Sequence, residues 1–481
     1  MCPERVLGMV RLAGEKWGRP RGANGCRAAP WSAVIFGAVW LLQGAVPAAA
    51  QLAAAPLPAA APRSALDDAT LAAAGIRKLD SRHLTLYTDL PAAAAIDELP
   101  AVFDQAVVAW HDYFGQPAQL PSAWHLTGFL MRNDDRFREY GLLPDTLPDF
   151  LHGYQRGNEF WFREQPSDFY RRHLMLHEGT HAYMEHWLHG GGAAWYREGM
   201  AELLGTHRWQ KSQLTLAVMP DDRQEAEYWG RIKLVRGDIA AGRAKSLAEV
   251  MVIKPRNNQE IDNAYAWSWA AVLFLSRHPL TREAAPAWQG LVALPDAEFN
   301  RQVWKSIAVK QSAIEAAWAL FLHELDYGYD LAADEIVERP VRDMTDAGTT
   351  CEIAADRGWQ ASGLRFQAGQ WYRLGASGRY QIAAVPRPWI CEPQGVTIKY
   401  HHGQPLGKLL MAIQPEQAPN QSIAERIESW QPIPVGTRLK WRAPATGVAY
   451  FRINEPAGRL SDNQGRLTIQ LELIRPAESQ P

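Results

Sequence analysis

The residues of this chain best equipped for chemistry are two histidines four positions apart with a glutamate beside the first. They lie in His177-Glu178-Gly179-Thr180-His181, an H-E-x-x-H. On a helix, positions i and i+4 stack one turn apart, so His177 and His181 present two imidazoles to one point. Zinc accepts that geometry, and Glu178 then sits beside the metal to handle protons. The bland alternative is an amphipathic helix whose histidines hydrogen-bond within the core. Two imidazoles and a carboxylate on neighbouring turns are costly to bury without a cation, which favours the metal.

A zinc site takes a third protein ligand. His186 and His189 follow closely, but a helix continuing from His181 points His186 away from the metal. Met184 and Trp187 occupy the positions where the metzincin pattern has its Gly and third His. After Gly190-Gly191-Gly192 the chain reads Trp195-Tyr196-Arg197-Glu198-Gly199-Met200-Ala201-Glu202. A Gly-rich turn and an antiparallel return helix would bring Glu198 over the two histidines. Glu202 lies one turn further along the same face, where it would orient a ligand imidazole from behind. For each of these glutamates the alternative is an ordinary exposed helix carboxylate.

H-E-x-x-H followed by W-x-x-E-G-x-A-E resembles the gluzincin metallopeptidases of the peptidase MA clan. It resembles still more a bacterial branch of secreted proteins in which such a domain follows a signal peptide. The resemblance spans roughly 80–335. It implies His177, His181 and Glu198 as zinc ligands, Glu178 as general base and Glu202 as support for the first histidine. It also implies a tyrosine at the start of a later helix that stabilises the oxyanion on the scissile carbonyl, which Tyr265 matches in position, a core or cap tyrosine being the alternative. His207 is the other residue in reach of that role. Aminopeptidases of the clan carry Asn before the ligand Glu and an amine-binding motif upstream. Here the preceding residue is Arg197 and no such motif occurs, so exopeptidase specificity is not implied.

The N-terminus has the order of a secretory signal. Residues 1–32 are basic, 33–42 are apolar, and Ala48-Ala49-Ala50 precede Gln51. The expectation is a signal peptide over 1–50 and an exported protein, with an uncleaved signal anchor as the alternative. An Ala/Pro-rich lead-in is expected over 51–80. Of four cysteines, Cys2 and Cys26 would leave with the signal. A disulfide between Cys351 and Cys391 would close a loop of about 40 residues and stabilise by roughly 4 kcal/mol; two free buried thiols are the alternative. With 50 basic against 52 acidic residues and no basic run after the signal, nucleic acid is excluded as a partner.

Elements able to hold the histidines follow from periodicity. Alternation over 83–88 and 124–131 predicts strands, and 150–154 with 159–163 a hairpin around Arg156-Gly157-Asn158. Helical spacing marks 99–114, 225–241, 264–278 and 313–325. A mixed sheet packed on the H-E-x-x-H helix follows, and by analogy with gluzincins its edge strand, within 150–163, would pair with an extended peptide. A linker is expected at 336–350. From 351 to 476, short alternating runs between Gly and Pro predict a β-sandwich. Its Gly358-Trp359-Gln360 and Asn454-Glu455…Asp462-Asn463 loosely resemble bacterial galactose-binding jelly rolls. That resemblance implies calcium on Asn454, Asp462 and Asn463, and a carbohydrate or envelope partner. A plain accessory domain is the alternative.

The fold class read from the sequence is therefore α+β, a gluzincin-like domain over 81–335 followed by an all-β sandwich. The first functional reading is an exported zinc metallopeptidase acting on peptides or proteins. The second is an envelope-associated binding protein that keeps the fold but does not cleave.

Overall fold

A computed structural model describes residues 67–116, 124–255, 257–344, 348–415 and 421–474. The expected signal, its two cysteines and most of the lead-in lie outside them. Among the described residues no helix is long and apolar enough to cross a membrane.

The first sheet is built from β1 (Arg77–Asp80), β2 (Leu84–Thr88), β3 (Leu126–Met131), β4 (Gly153–Arg156) and β5 (Glu159–Arg163). Its order is β1-β2-β3-β5-β4, with β2, β3 and β5 parallel and the outer strands antiparallel to their neighbours. β4 is thus an edge strand, inside the segment where an edge was expected. The lead-in ends sooner than 80. A short helix, Asp68–Ala73, and β1 already belong to the fold, because Arg77–Asp80 pair residue by residue with β2.

Both faces of this sheet are covered, as period-2 strands with large apolar residues on each side require. Trp161, Phe129 and Tyr87 meet Leu71, Ile76 and Phe137 on one face. On the other, Leu86, Leu130 and Phe160 meet the helices. The longer helices of this half are α1 (Leu99–Tyr113), α2 (Asp168–Trp187), α3 (Ala194–Gly205), α4 (Arg231–Ala240), α5 (Asn258–Arg277), α6 (Asp296–Ile307) and α7 (Gln311–Glu324), of which α1 and α2 lie against the sheet. A hairpin, β6 (His207–Gln210) and β7 (Gln213–Leu216), follows α3. α1 approaches α2 at Gly179, where an added methyl would stand 2.6 Å from Trp110 and 2.7 Å from Phe103. The glycine inside H-E-x-x-H therefore lets an aromatic helix lie against the back of the site.

The helix expected over 225–241 begins only at Arg231. Gly230 before it is left-handed at φ +64°, and 223–229 are turns.

The second half is a two-layer β-sandwich. Its strands are β8 (Arg342–Asp343), β9 (Thr349–Ala354), β10 (Gln360–Phe366), β11 (Trp371–Ser377), β12 (Leu409–Pro415), β13 (Ile433–Pro434), β14 (Arg438–Arg442), β15 (Gly447–Ile453) and β16 (Arg466–Ile474). One sheet runs β13-β12-β15-β10-β8 and the other β14-β11-β16-β9. Their inner faces share one core that includes Leu364, Met411 and Phe451 from the first sheet and Ile353, Leu374 and Ile469 from the second. The expected linker is partly woven into the sandwich. Val337 bridges Gln360, and β8 pairs in parallel with β10.

The two halves share a seam. Leu320 of α7 packs with Trp359, Ala361, Leu410, Trp430 and Tyr450 of the sandwich. Arg452 of β15 reaches Glu324 at the end of α7, 2.8 Å from nitrogen to oxygen, and Trp359 Nε1 donates to the same carboxylate at 3.0 Å.

Candidate metal centre

The site forms where α2, α3, α5 and β4 converge. Ser167 starts α2 by accepting the Tyr170 N–H at 3.1 Å, and the helix then runs 20 residues without a break. α2 stops at Trp187, and α3 restarts the chain at Ala194 after the glycine segment. Glu198 faces His177 and His181, whereas Glu202 faces His173 and His177. As numbers rise on α3 they fall on α2, so the two helices are antiparallel, as the glycine break predicts.

His177 Nε2 and His181 Nε2 are 3.1 Å apart, and Glu198 Oε2 lies 3.5 Å from the first and 3.3 Å from the second. Around a tetrahedral zinc with bonds of about 2.0–2.1 Å, adjacent ligand atoms are about 3.3–3.4 Å apart. The triangle has that size. Glu198 Oε2 is buried without a hydrogen-bond partner, a costly state for a carboxylate oxygen unless a cation meets it. Its other oxygen accepts from Arg197 Nε at 3.3 Å. Two imidazole nitrogens and one carboxylate oxygen are a donor set that suits zinc.

Charge in the site is strongly organised. Burial opposes a charge on His177, but the neighbouring Glu198 and Glu202 carboxylates outweigh it and push the imidazole up to about 10. Against burial, His181 and His177 hold Glu198 well below the usual carboxylate range, and Arg231 and His173 do the same for Glu202. Glu178 behaves oppositely. Burial pushes it up to about 8, the charges on Glu198 and Glu202 adding to the effect against His177. A carboxyl poised there exchanges a proton near neutral pH.

Glu178 lies directly under the edge strand. A methyl group at Gly153 of β4 would stand 2.4 Å from Glu178 Oε1, so any side chain there would push the carboxylate or the strand aside. Tyr265, on α5, has its ring 5.8 Å from that of His177. Burial and the charges of Glu198, Glu178 and Glu202 hold its hydroxyl well above the usual tyrosine range, so it remains a donor.

Of the other residues singled out, His207 does not join the site. Its Nδ1 is 2.8 Å from Gly205 O, Arg172 donates to its Nε2 at 3.2 Å, and its ring stacks on Phe169. His186 stacks on Trp124, and His189 takes φ +58° just past the end of α2.

In the sandwich, Cys351 and Cys391 are free buried thiols, which corrects the expected disulfide. Cys351 lies on β9. Cys391 lies on a two-residue strand paired with Tyr380–Gln381, and its thiol donates to Glu392 O at 3.2 Å. Loop length does not decide which cysteines meet, and these two fill core space as small apolar groups.

The residues suggested for calcium are engaged in holding loops. Asn454 Nδ2 faces the carbonyls of His401, Gln404 and Pro405 at 2.9–3.0 Å, and Asp462 accepts the Ala384 N–H at 2.8 Å. Asn463 Nδ2 donates to Ala355 O and to Glu455 Oε2.

Two residues of the site escaped the sequence reading. His173, one turn before His177, carried a usable signal, since it extends the same i, i+4 stripe. Arg231 grips Glu202 with Nε and Nη2, each at 2.8 Å, and no local pattern announces it.

No family model matches the chain, and neither does any curated protein. Among solved structures it is similar to the EclA N-terminal domain, a PllA-like lectin, at 17% identity. That likeness covers 26% of this chain and 95% of that one with a TM-score of 0.20, and at that score it carries no argument.

Proposed function

We propose that this chain is an exported zinc metallopeptidase of the gluzincin kind, acting on peptides or proteins. The observation that carries the reading is the His177–His181–Glu198 triangle, whose edges match those of a tetrahedral zinc site. Bound by these three residues, zinc would lower the pKa of a coordinated water to about 7 and polarise a carbonyl.

The chain's own residues do the rest. An extended peptide pairs with edge strand β4 through main-chain hydrogen bonds, which lays its backbone beside Glu178. Glu178 takes a proton from the water as the water's oxygen bonds to the scissile carbonyl carbon. It then hands that proton to the amine nitrogen as the C–N bond breaks. Tyr265 donates its hydroxyl hydrogen to the oxygen on which charge develops. Glu202 Oε1 lies 3.4 Å from His177 Nδ1, where it would keep the Nε2 lone pair directed at the ligand triangle. The sandwich serves as an accessory domain for an envelope or carbohydrate partner.

Purified protein is expected to contain one zinc per chain and to cleave members of a mixed-peptide library. A chelator should remove both properties, and added zinc should restore both. Glu178→Gln is expected to keep the metal while losing about 10²–10⁴-fold in rate. Protein without stoichiometric zinc, or a Glu178→Gln variant as active as the parent, ends the reading.

A further inference from the structure

Behind the candidate centre lies a second group of metal-ligating type. His173, His177 and Glu202 offer atoms all within 4.8 Å of one another, and all three residues are buried. His173 Nε2 is 3.3 Å from Glu202 Oε2, and His177 Nδ1 is 3.4 Å from Glu202 Oε1. His177 therefore faces both groups, Nε2 toward Glu198 and Nδ1 toward Glu202. By ligand type alone, a second cation bridged through the same imidazole would fit.

Arg231 decides against that cation. It is the first residue of α4, far from Glu202 in sequence, and its Nε and Nη2 each lie 2.8 Å from a different oxygen of that carboxylate. Both oxygens thus already accept a charge-assisted hydrogen bond, in the two-pronged arrangement that fixes a carboxylate's plane. The guanidinium is itself buried, so a dication in this group would face an unscreened like charge a few ångströms away.

We propose that Arg231 is a positioning residue of the centre and that His173, Glu202 and His177 form a relay that takes no ion of its own. The inference rests on the zinc reading above. A carboxylate locked by Arg231 stands 3.4 Å from His177 Nδ1, where with a metal on the ring it would take a proton-bearing Nδ1 and leave Nε2 as the lone pair the metal needs. The second oxygen lies 3.3 Å from Nε2 of His173, a buried ring neither of whose nitrogens has a hydrogen-bond partner. Arg231 also lies over the Tyr265 ring at 5.9 Å. One side chain thus fixes the ligand's support and lies beside the ring of the hydroxyl donor. Lysine would supply the charge without the fork.

The test measures zinc affinity by competition with a chromophoric chelator, and the visible spectrum after cobalt substitution. It uses the full chain with Arg231→Lys, Arg231→Met and His173→Phe. The expected result is one zinc per wild-type chain, bound about 10- to 100-fold more weakly in both Arg231 variants. Their cobalt bands should be displaced while far-ultraviolet circular dichroism stays the same. A role confined to folding would leave affinity and spectrum of the folded protein unmoved, and that result overturns the inference. So does a second zinc in the wild type that His173→Phe removes. If Arg231→Met fails to fold, Arg231→Lys keeps the buried charge and carries the test. Wild-type protein that takes up no zinc defeats the proposed function and this inference together. Normal zinc in the wild type and in both Arg231 variants defeats the inference alone.

Discussion

Replacing Gly153 with alanine probes the contact between the edge strand and the proposed base without touching any ligand. The new methyl would stand 2.4 Å from Glu178 Oε1 and 3.0 Å from its Cδ and Cγ. Unstrained contacts between heavy atoms are about 3.5–4.0 Å, so strand or carboxylate must retreat by about 1 Å. Gly153 is paired with Phe162 across the β4–β5 ladder, so the side chain is the part freer to move. A displacement of about 1 Å at a reacting group costs on the order of 10²-fold in rate. The overpacking itself should destabilise by about 1–3 kcal/mol. The expected result is therefore kcat lowered about 100-fold, with zinc content unchanged and a modest fall in the unfolding midpoint. Gly237→Ala serves as control, because its site on α4 is open. It should stabilise by roughly 0.5–1 kcal/mol and leave activity alone. Steady-state kinetics, metal analysis and urea unfolding on the same preparations decide the matter. A Gly153→Ala enzyme with wild-type kcat would refute the placement of Glu178 as base beneath the strand.

Three further outcomes follow from the structure. Tyr265→Phe removes one hydroxyl from the site and is expected to lower kcat by about 10²–10³ with little change in KM or zinc content; an effect on KM alone would contradict its role. Arg452→Met strands the buried Glu324 carboxylate at the seam and should destabilise by about 3–5 kcal/mol in denaturant titration, a loss below 1 kcal/mol counting against the ion pair. Burial holds the His207 imidazole down to about 3, below its usual value near 6.5. Its contribution to stability is whole above about pH 6.5 and is lost as the pH falls toward about 3. Urea midpoints across that window should therefore decline less steeply in His207→Gln, and an equally steep profile would exclude His207 as the cause.

The parts of the site that could be read in the sequence are those built by neighbours along the chain. His177 and His181 are one helical turn apart, and the three glycines that reverse the chain stand just before the helix bearing Glu198. Both signals are local, and both survive folding. Arg231 is invisible on those terms, because it meets Glu202 only once α4 has docked and nothing in its own stretch marks it. The late start of that helix has the same root, since apolar spacing continues upstream through residues that Gly230 in fact turns aside. The cysteines show the reverse error: loop length suggested a bond between them, but Cys351 lies on β9 and Cys391 on a separate two-residue strand, each a free buried thiol.

The seam between the halves bears on how the molecule can be handled. A protein cut after residue 335 would lay Leu320 open to water and leave the Glu324 carboxylate without the guanidinium and indole that meet it. The helical half is thus no portable cassette. A chimera that borrows it must carry along the sandwich face bearing Trp359 and Arg452, or expose a sticky, acid-tipped helix end to everything around it.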